Sequence, residues 1–311
     1  MKSNLMLRTT LPITLVLTSS TLTNILLGFL LIGPLAGIGL ASIVYNGDFM
    51  SDINSAHSNP ALAFALMLKQ GTTTLVGLIL IPIIQIVVIE KKPLSGFFPR
   101  GSGHPTLLLL SSIATMLFIV AVSPITEWNA TWQFPAVLGD FEQWMQAANE
   151  GSVHVVSVLT SQTSLPYIFG ASIVTVLLPA IGEEFVFRGI IQNQLMGKSS
   201  NHHLAIWAAA IIFSLAHFHI YGLIPRVLFG ALFGYAYHWS GNLLYPILMH
   251  FVNNAFVLML SYDAMPYSDQ FGVDQSNSLP AIWVVLAATT FAGIVFLIYR
   301  IRLKSLAAKS F

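Results

Sequence analysis

Glu183 and Glu184 stand side by side in GEEFVFRG, deep in an apolar run, with Arg188 four residues after the second of them. Farther on, FSLAH places His217 four residues after Phe213, and HFVNN places Asn254 four residues after His250. A carboxylate, two imidazoles and an amide are groups that hydrolysis can use. The carboxylate takes a proton from water, and a histidine with an asparagine amide stabilises the oxyanion. Each pair is a weak signal alone. On three neighbouring apolar segments of a chain this poor in polar residues, they make a joint one.

Adjacent residues on a helix point about 100° apart, so the two glutamates have different tasks. Glu184 and Arg188 share a face in the favourable order, acid before base, and are expected to pair. That pair is either structural or supports catalysis. Glu183 has no cation three or four residues away; its same-face neighbours are Pro179, Ala180 and Phe187. It is the candidate general base. His219 lies about 200° round the helix from His217 and is the weaker histidine. Pro246, four residues before His250, suits the first turn of a helix and would put His250 near a positive N-terminal dipole.

These residues need apolar helices to position them, and the composition supplies them. The chain has 311 residues, 55% of them hydrophobic and 8% charged, with a mean hydropathy of +0.77. An ordinary soluble domain has about a quarter charged residues. The expected fold is therefore all-α, a polytopic integral membrane helix bundle of about eight transmembrane helices. A net charge of +1 offers no broad basic surface for nucleic acid. With no cysteine, disulfides, thiolate metal ligands and a cysteine nucleophile are excluded.

Apolar stretches near 22–44, 71–90, 105–124, 167–195, 204–218, 223–239, 243–261 and 281–299 approach the roughly 20 residues that a span requires. The fifth and sixth are short, and Gly222 with Pro225 predicts a turn between them rather than a long loop. The first is read as an uncleaved helix rather than a secretory signal. Lys2, Arg8, Lys91, Lys92, Arg100, Lys198, Arg300, Arg302, Lys304 and Lys309 alternate with segments 46–60, 125–164 and 262–280, which hold nine acidic residues and no Lys or Arg. By the positive-inside rule both termini are cytoplasmic. The setting is a multi-pass membrane, the cell membrane if the source is bacterial.

Of the twelve acidic residues only Glu183 and Glu184 fall inside the membrane, where an ionisable group is a functional candidate by default. The chain divides into helices one to three with an outer loop (1–163), a catalytic core (164–262), and an outer loop with the last helix and a basic tail (263–311). In the loop 125–164, Trp128, Trp132 and Trp144 suggest a segment resting at the membrane interface. At 1.5 Å per residue, Glu183, His217 and His250 lie about 18, 20 and 10 Å from the cytoplasmic ends of their helices. All three can thus line one cavity in the cytoplasmic half. Gly230 and Gly234 of GALFG would let helix six pack closely beside them.

EEFVFR at 183–188, FSLAH at 213–217 and HFVNN at 250–254 follow the order EExxxR, FxxxH, HxxxN. In this the chain resembles the CAAX-processing and bacteriocin-processing (CPBP) intramembrane proteases, which include the type II CAAX prenyl endopeptidase. The resemblance covers about 164–262. It implies a protease with Glu183 as the base activating water, Glu184 and Arg188 as its supporting pair, His217 holding that water or a metal, and His250 with Asn254 polarising the scissile carbonyl. A divalent metal such as zinc on Glu183, His217 and His250 and a metal-free glutamate mechanism both remain open. The implied partner is a membrane-anchored protein or peptide substrate, prenylated or not. No HExxH occurs, and neither Gly-Asp pair, at 47–48 or 139–140, falls in a membrane helix. Two other classes stay in view: a proton-coupled transporter, and a non-catalytic immunity or scaffold protein of the same fold.

Overall fold

The computed structural model describes residues 59–89, 91–99, 103–197, 201–217, 219–262 and 279–307. The expected first span, near 22–44, lies outside them, as do Arg100, Lys198 and, of the terminal charges used for orientation, Lys2, Arg8 and Lys309. The described residues form an all-α membrane bundle. In chain order its helices are α1 (60–89), α2 (Pro105–Ala130), α3 (Gly139–Leu159), α4 (Leu165–Met196), α5 (His202–Leu215), α6 (Leu223–Ser240), α7 (Leu244–Tyr262) and α8 (Ala281–Ala307). Six of these segments are long and apolar enough to cross a membrane: parts of α1 and α8, all of α2, α4 and α7, and Ile220–Ser240 containing α6.

The fifth expected span is a helix shorter than a full crossing requires. α5 has 14 residues, about 21 Å of rise against a hydrocarbon core of about 30 Å. It ends in a turn at 216–217, and a short 3-10 turn at Ile220–Gly222, where Gly222 and Pro225 signalled one, leads straight into α6. The Asn201 side chain caps its first turn by accepting from the His203 amide at 2.9 Å. At the other end of α6, Gly241 adopts a left-handed φ of 66° and its amide closes on the Tyr237 carbonyl at 2.7 Å.

α4 is the centre. It packs against α1, α5 and α7, while α6 lies across α5, α7 and α2, and α8 lies along α2. Its contact with α1 is close because Gly182 has no side chain. A Cβ there would come within 2.7 Å of Leu78 Cβ. α4 is also not uniformly wound. Residues 173–177 and 185–192 take π-helical turns, a form that recurs at functional sites. The second follows directly on Glu184 and carries Arg188.

The segment expected to rest at the interface contains a full helix. α3 has Asp140 and Glu142 in its first turn, favourable at the positive end of its dipole. Its Met145, Val158 and Leu159 are buried, and Leu159 packs with Met67 of α1 and Ala171 and Val174 of α4. Trp128 and Trp132 meet edge to face, with centroids 5.3 Å apart.

Candidate active site

Glu184 and Arg188 pair as their spacing predicts. Arg188 Nη1 donates to Glu184 Oε1 at 2.7 Å, and both side chains are completely enclosed. Enclosed charge is costly unless its remaining polar atoms are used; the neighbours use those of Arg188, while Glu184 Oε2 is buried without a hydrogen-bond partner. Arg188 Nη2 donates to the Gly230 carbonyl at 2.9 Å. The guanidinium also lies over the rings of Phe213 and Phe233, at 4.7 and 5.5 Å from their centroids. The Phe of FxxxH thus covers the Arg of EExxxR.

The glycines of GALFG serve this arrangement. At Gly230 a Cβ would sit 3.0 Å from Ala210 Cβ and 3.1 Å from Ala210 Cα, so α5 and α6 approach backbone to backbone. That approach delivers the Gly230 carbonyl to Arg188. One turn on, Gln192 Nε2 donates to the Gly234 carbonyl at 3.0 Å. Gln192 is fully buried, and nothing in its spacing singled it out.

His250 is bound to the same carboxylate. Its Nδ1 lies 2.8 Å from Glu184 Oε1, a link across 66 residues that no local spacing predicts. Because Glu184 Oε1 already accepts from Arg188, it is the acceptor here too and His250 Nδ1 the donor. Phe233 stacks on the imidazole at 5.4 Å and 26°. His217 is fixed in the same manner by a different acceptor. Its Nδ1 lies 2.8 Å from the Phe213 carbonyl, and a carbonyl only accepts, so Nδ1 carries the proton.

Both histidines therefore turn Nε2 toward the same place, and Glu183 is there. Glu183 Oε2 is 3.7 Å from His217 Nε2 and 3.9 Å from His250 Nε2. It is buried and has no hydrogen-bond partner. The Glu183 side chain is 17% exposed and that of His217 33% exposed, so the gap opens on the His217 side. Asn254 lies one turn beyond His250 on α7, and its Oδ1 accepts from Asn253 at 3.2 Å, which leaves its amide N–H groups to point elsewhere. The six candidate residues are on α4, on α7 and just past the end of α5. Five are linked by the contacts above, and Asn254 shares a helical face with His250.

The donor set of Glu183, His217 and His250 has the chemistry of a divalent-ion site, including the anchored Nδ1 atoms usual behind metal-bound imidazoles. Its spacing is looser. The two edges of 3.7 and 3.9 Å exceed the roughly 3.4 Å edge of a tetrahedral zinc site. Among the described residues no group of three or more His, Asp or Glu is drawn together as an ion-holding set.

The turn at 216–217 carries His217, and Asn129 at the end of α2 holds the 3-10 turn at Ile220–Gly222 that leads into α6. Its Nδ2 donates to the Ile220 carbonyl at 3.1 Å and its Oδ1 accepts from the Ile224 amide at 2.8 Å. Ser214 Oγ adds a bond to the Leu223 carbonyl at 2.8 Å. Over the turn, Tyr221 OH bridges Glu142 and Gln146 of α3 at 3.3 and 3.2 Å. Asn129 is fully buried. Its only sequence signal is an amide at the end of an apolar helix, 91 residues from its partner.

Residues 165–256 match the family model of the Rce1-like type II CAAX prenyl endopeptidases. Among curated proteins, the chain is similar to an uncharacterised protein, YpbD, of Bacillus subtilis, at 33% identity over 101 residues, 30% of this chain. It is also similar to the membrane-embedded CAAX protease MroQ of Staphylococcus aureus, at 31% identity over 124 residues, 38% of this chain. The chain spans about half the length of the curated relatives it matches, 46% of the first and 48% of the second. No solved structure matches it. Over residues 165–256 the chain is thus similar to the Rce1-like type II CAAX prenyl endopeptidases, the resemblance that its three motifs carry.

Proposed function

We propose that the chain is an intramembrane endopeptidase, hydrolysing a peptide bond of a membrane-associated protein or peptide with a glutamate-activated water. One observation carries this reading: an unpartnered, buried carboxylate oxygen of Glu183 faces two imidazole Nε2 atoms whose rings are locked from behind. The gap between these atoms suits a water hydrogen-bonded to Glu183 and to one imidazole.

Glu183 accepts a proton from that water as the oxygen attacks the scissile carbonyl carbon, and passes it to the leaving amine when the C–N bond breaks. His217 Nε2 carries a lone pair in the neutral ring and orients the water by accepting its second hydrogen. The oxyanion needs donors. Asn254 supplies an amide N–H in any protonation state. His250 Nε2 supplies one only as imidazolium, because its Nδ1 proton is already committed to Glu184. Glu184 and Arg188 act from behind, by fixing the ring of His250. Were a divalent ion bound, Glu183, His217 and His250 would hold it, and it would supply Lewis-acid activation of the water.

The name of the Staphylococcus aureus relative and that of the family make a CAAX-type C-terminus the first substrate to try. The charge pattern of the loops supports a cytoplasmic position for both termini. The test is cleavage of membrane-anchored peptides by the full chain in liposomes, beside its Glu183→Gln variant. Cleavage by the wild type and none by the variant is expected. Equal cleavage by both would remove Glu183 from the role of base, and solute uptake without cleavage would favour the transporter.

A further inference from the structure

Arg226, in the first turns of α6, takes no part in the chemistry above, yet its surroundings are built. The guanidinium donates from Nη1 to the His219 carbonyl at 3.2 Å and from Nη2 to His219 Nδ1 at 2.9 Å. Accepting at Nδ1 makes His219 neutral, with its proton on Nε2. Both partners are therefore uncharged acceptors that aim the guanidinium without neutralising it. Among the described residues no carboxylate is in ion-pair contact with Arg226. Of its five N–H groups, the two on His219 leave three for another acceptor. Gly222 makes room for the clamp: a Cβ there would come within 3.1 Å of Arg226 Nη2 and 3.2 Å of His219 Cε1 and Nδ1.

The clamp stands beside the reacting gap. His219 is two residues from His217, and Arg226 lies one helical turn before Gly230, whose carbonyl accepts from Arg188. A half-buried guanidinium with no anion in contact gains most from an anion that arrives with the substrate, where low dielectric strengthens the pair and the planar fork fits a carboxylate two-pronged. We infer that Arg226, aimed by His219 across Gly222, binds a carboxylate of the substrate peptide and so determines which peptides are accepted. The carboxylate is either the peptide's C-terminus or an acidic side chain near the cut. This inference rests on the peptidase reading for its biological sense, but binding can be measured without turnover.

The experiment uses the full chain in detergent and labelled apolar peptides in matched forms: free acid against C-terminal amide, and Glu against Gln beside the candidate cleavage site. Dissociation constants are read first, cleavage second. The wild type is expected to favour one carboxylate form at least 10-fold, and the pair showing the preference identifies its source. In Arg226→Gln the ratio falls to about one. Gly222→Ala, which keeps the charge but displaces the clamp, lowers it too, and so provides the test if Arg226→Gln fails to fold. A wild type that binds acid and amide or Glu and Gln forms equally, or a preference that survives in the variants, overturns the inference. Selective binding with no cleavage of any peptide would leave the Arg226 site standing and count against the peptidase reading.

Discussion

His250 Nδ1 and Arg188 Nη1 bind the same oxygen of Glu184, at 2.8 and 2.7 Å. One carboxylate thus balances the buried cation and sets the direction of an imidazole on another helix. Oε2 is buried without a partner in both glutamates, but Glu183 has no short bond such as those on Glu184 Oε1, only the imidazoles at 3.7 and 3.9 Å.

The two glutamates are expected to fail differently. Glu183→Gln removes a carboxylate that makes no short bond, so the variant should melt at or above the wild-type temperature while cleavage falls about 10²–10⁴-fold. Glu184→Ala leaves Arg188 enclosed without its counter-ion and should lose about 3–5 kcal/mol of stability. Thermal denaturation in detergent beside a cleavage assay separates the two outcomes.

Arg188→Lys keeps the charge but is not conservative. A lysine ammonium cannot hold Glu184 and the Gly230 carbonyl at once while lying flat between Phe213 and Phe233. A loss of about 1.5–3 kcal/mol is expected, read as a lowered melting temperature.

Much of this core was legible in advance, for local reasons. The Glu184 to Arg188 bond follows from four-residue spacing on one helix, and the end of α5 follows from a glycine and a proline. What was not legible depends on how helices are rotated against one another. The bond from Glu184 to His250, the Phe213 and Phe233 faces on Arg188, and the Asn129 clamp all cross between helices, and residue spacing within a helix does not encode them. The π turn over 185–192 was also invisible, since an apolar run reads the same whether it is wound as α or π.

Gly230→Ala tests the close approach of α5 and α6. Its Cβ would press on Ala210 backbone as well as side chain, and separation of the helices would stretch the bond from Arg188 to the Gly230 carbonyl. Overpacking of this kind costs about 1–3 kcal/mol. Activity should fall with stability, and a second substitution of Ala210→Gly should restore part of both.

Asn129→Ala would orphan the Ile220 carbonyl and the Ile224 amide, at about 1–3 kcal/mol for a buried unsatisfied group. Because the turn it holds lies close after His217 in the chain, cleavage should drop more than the fraction folded does. Amide hydrogen exchange across 216–224 should rise, whereas exchange in α4 should stay near wild type.

Dialysis against a strong chelator is expected to leave cleavage intact, given edges of 3.7 and 3.9 Å between the donor atoms. Loss of cleavage, restored by zinc in the wild type and with weaker zinc binding in His217→Ala, would instead make Glu183, His217 and His250 a ligand set.

α5 has a consequence beyond placing His217. Fourteen residues cannot match an ordinary bilayer, so lipid next to α5 must either thin locally or leave a dimple that admits headgroups and water. Hydrophobic mismatch would then be a control on turnover: the same protein in short-chain lipid should be wetter at Glu183, and faster, than in long-chain lipid.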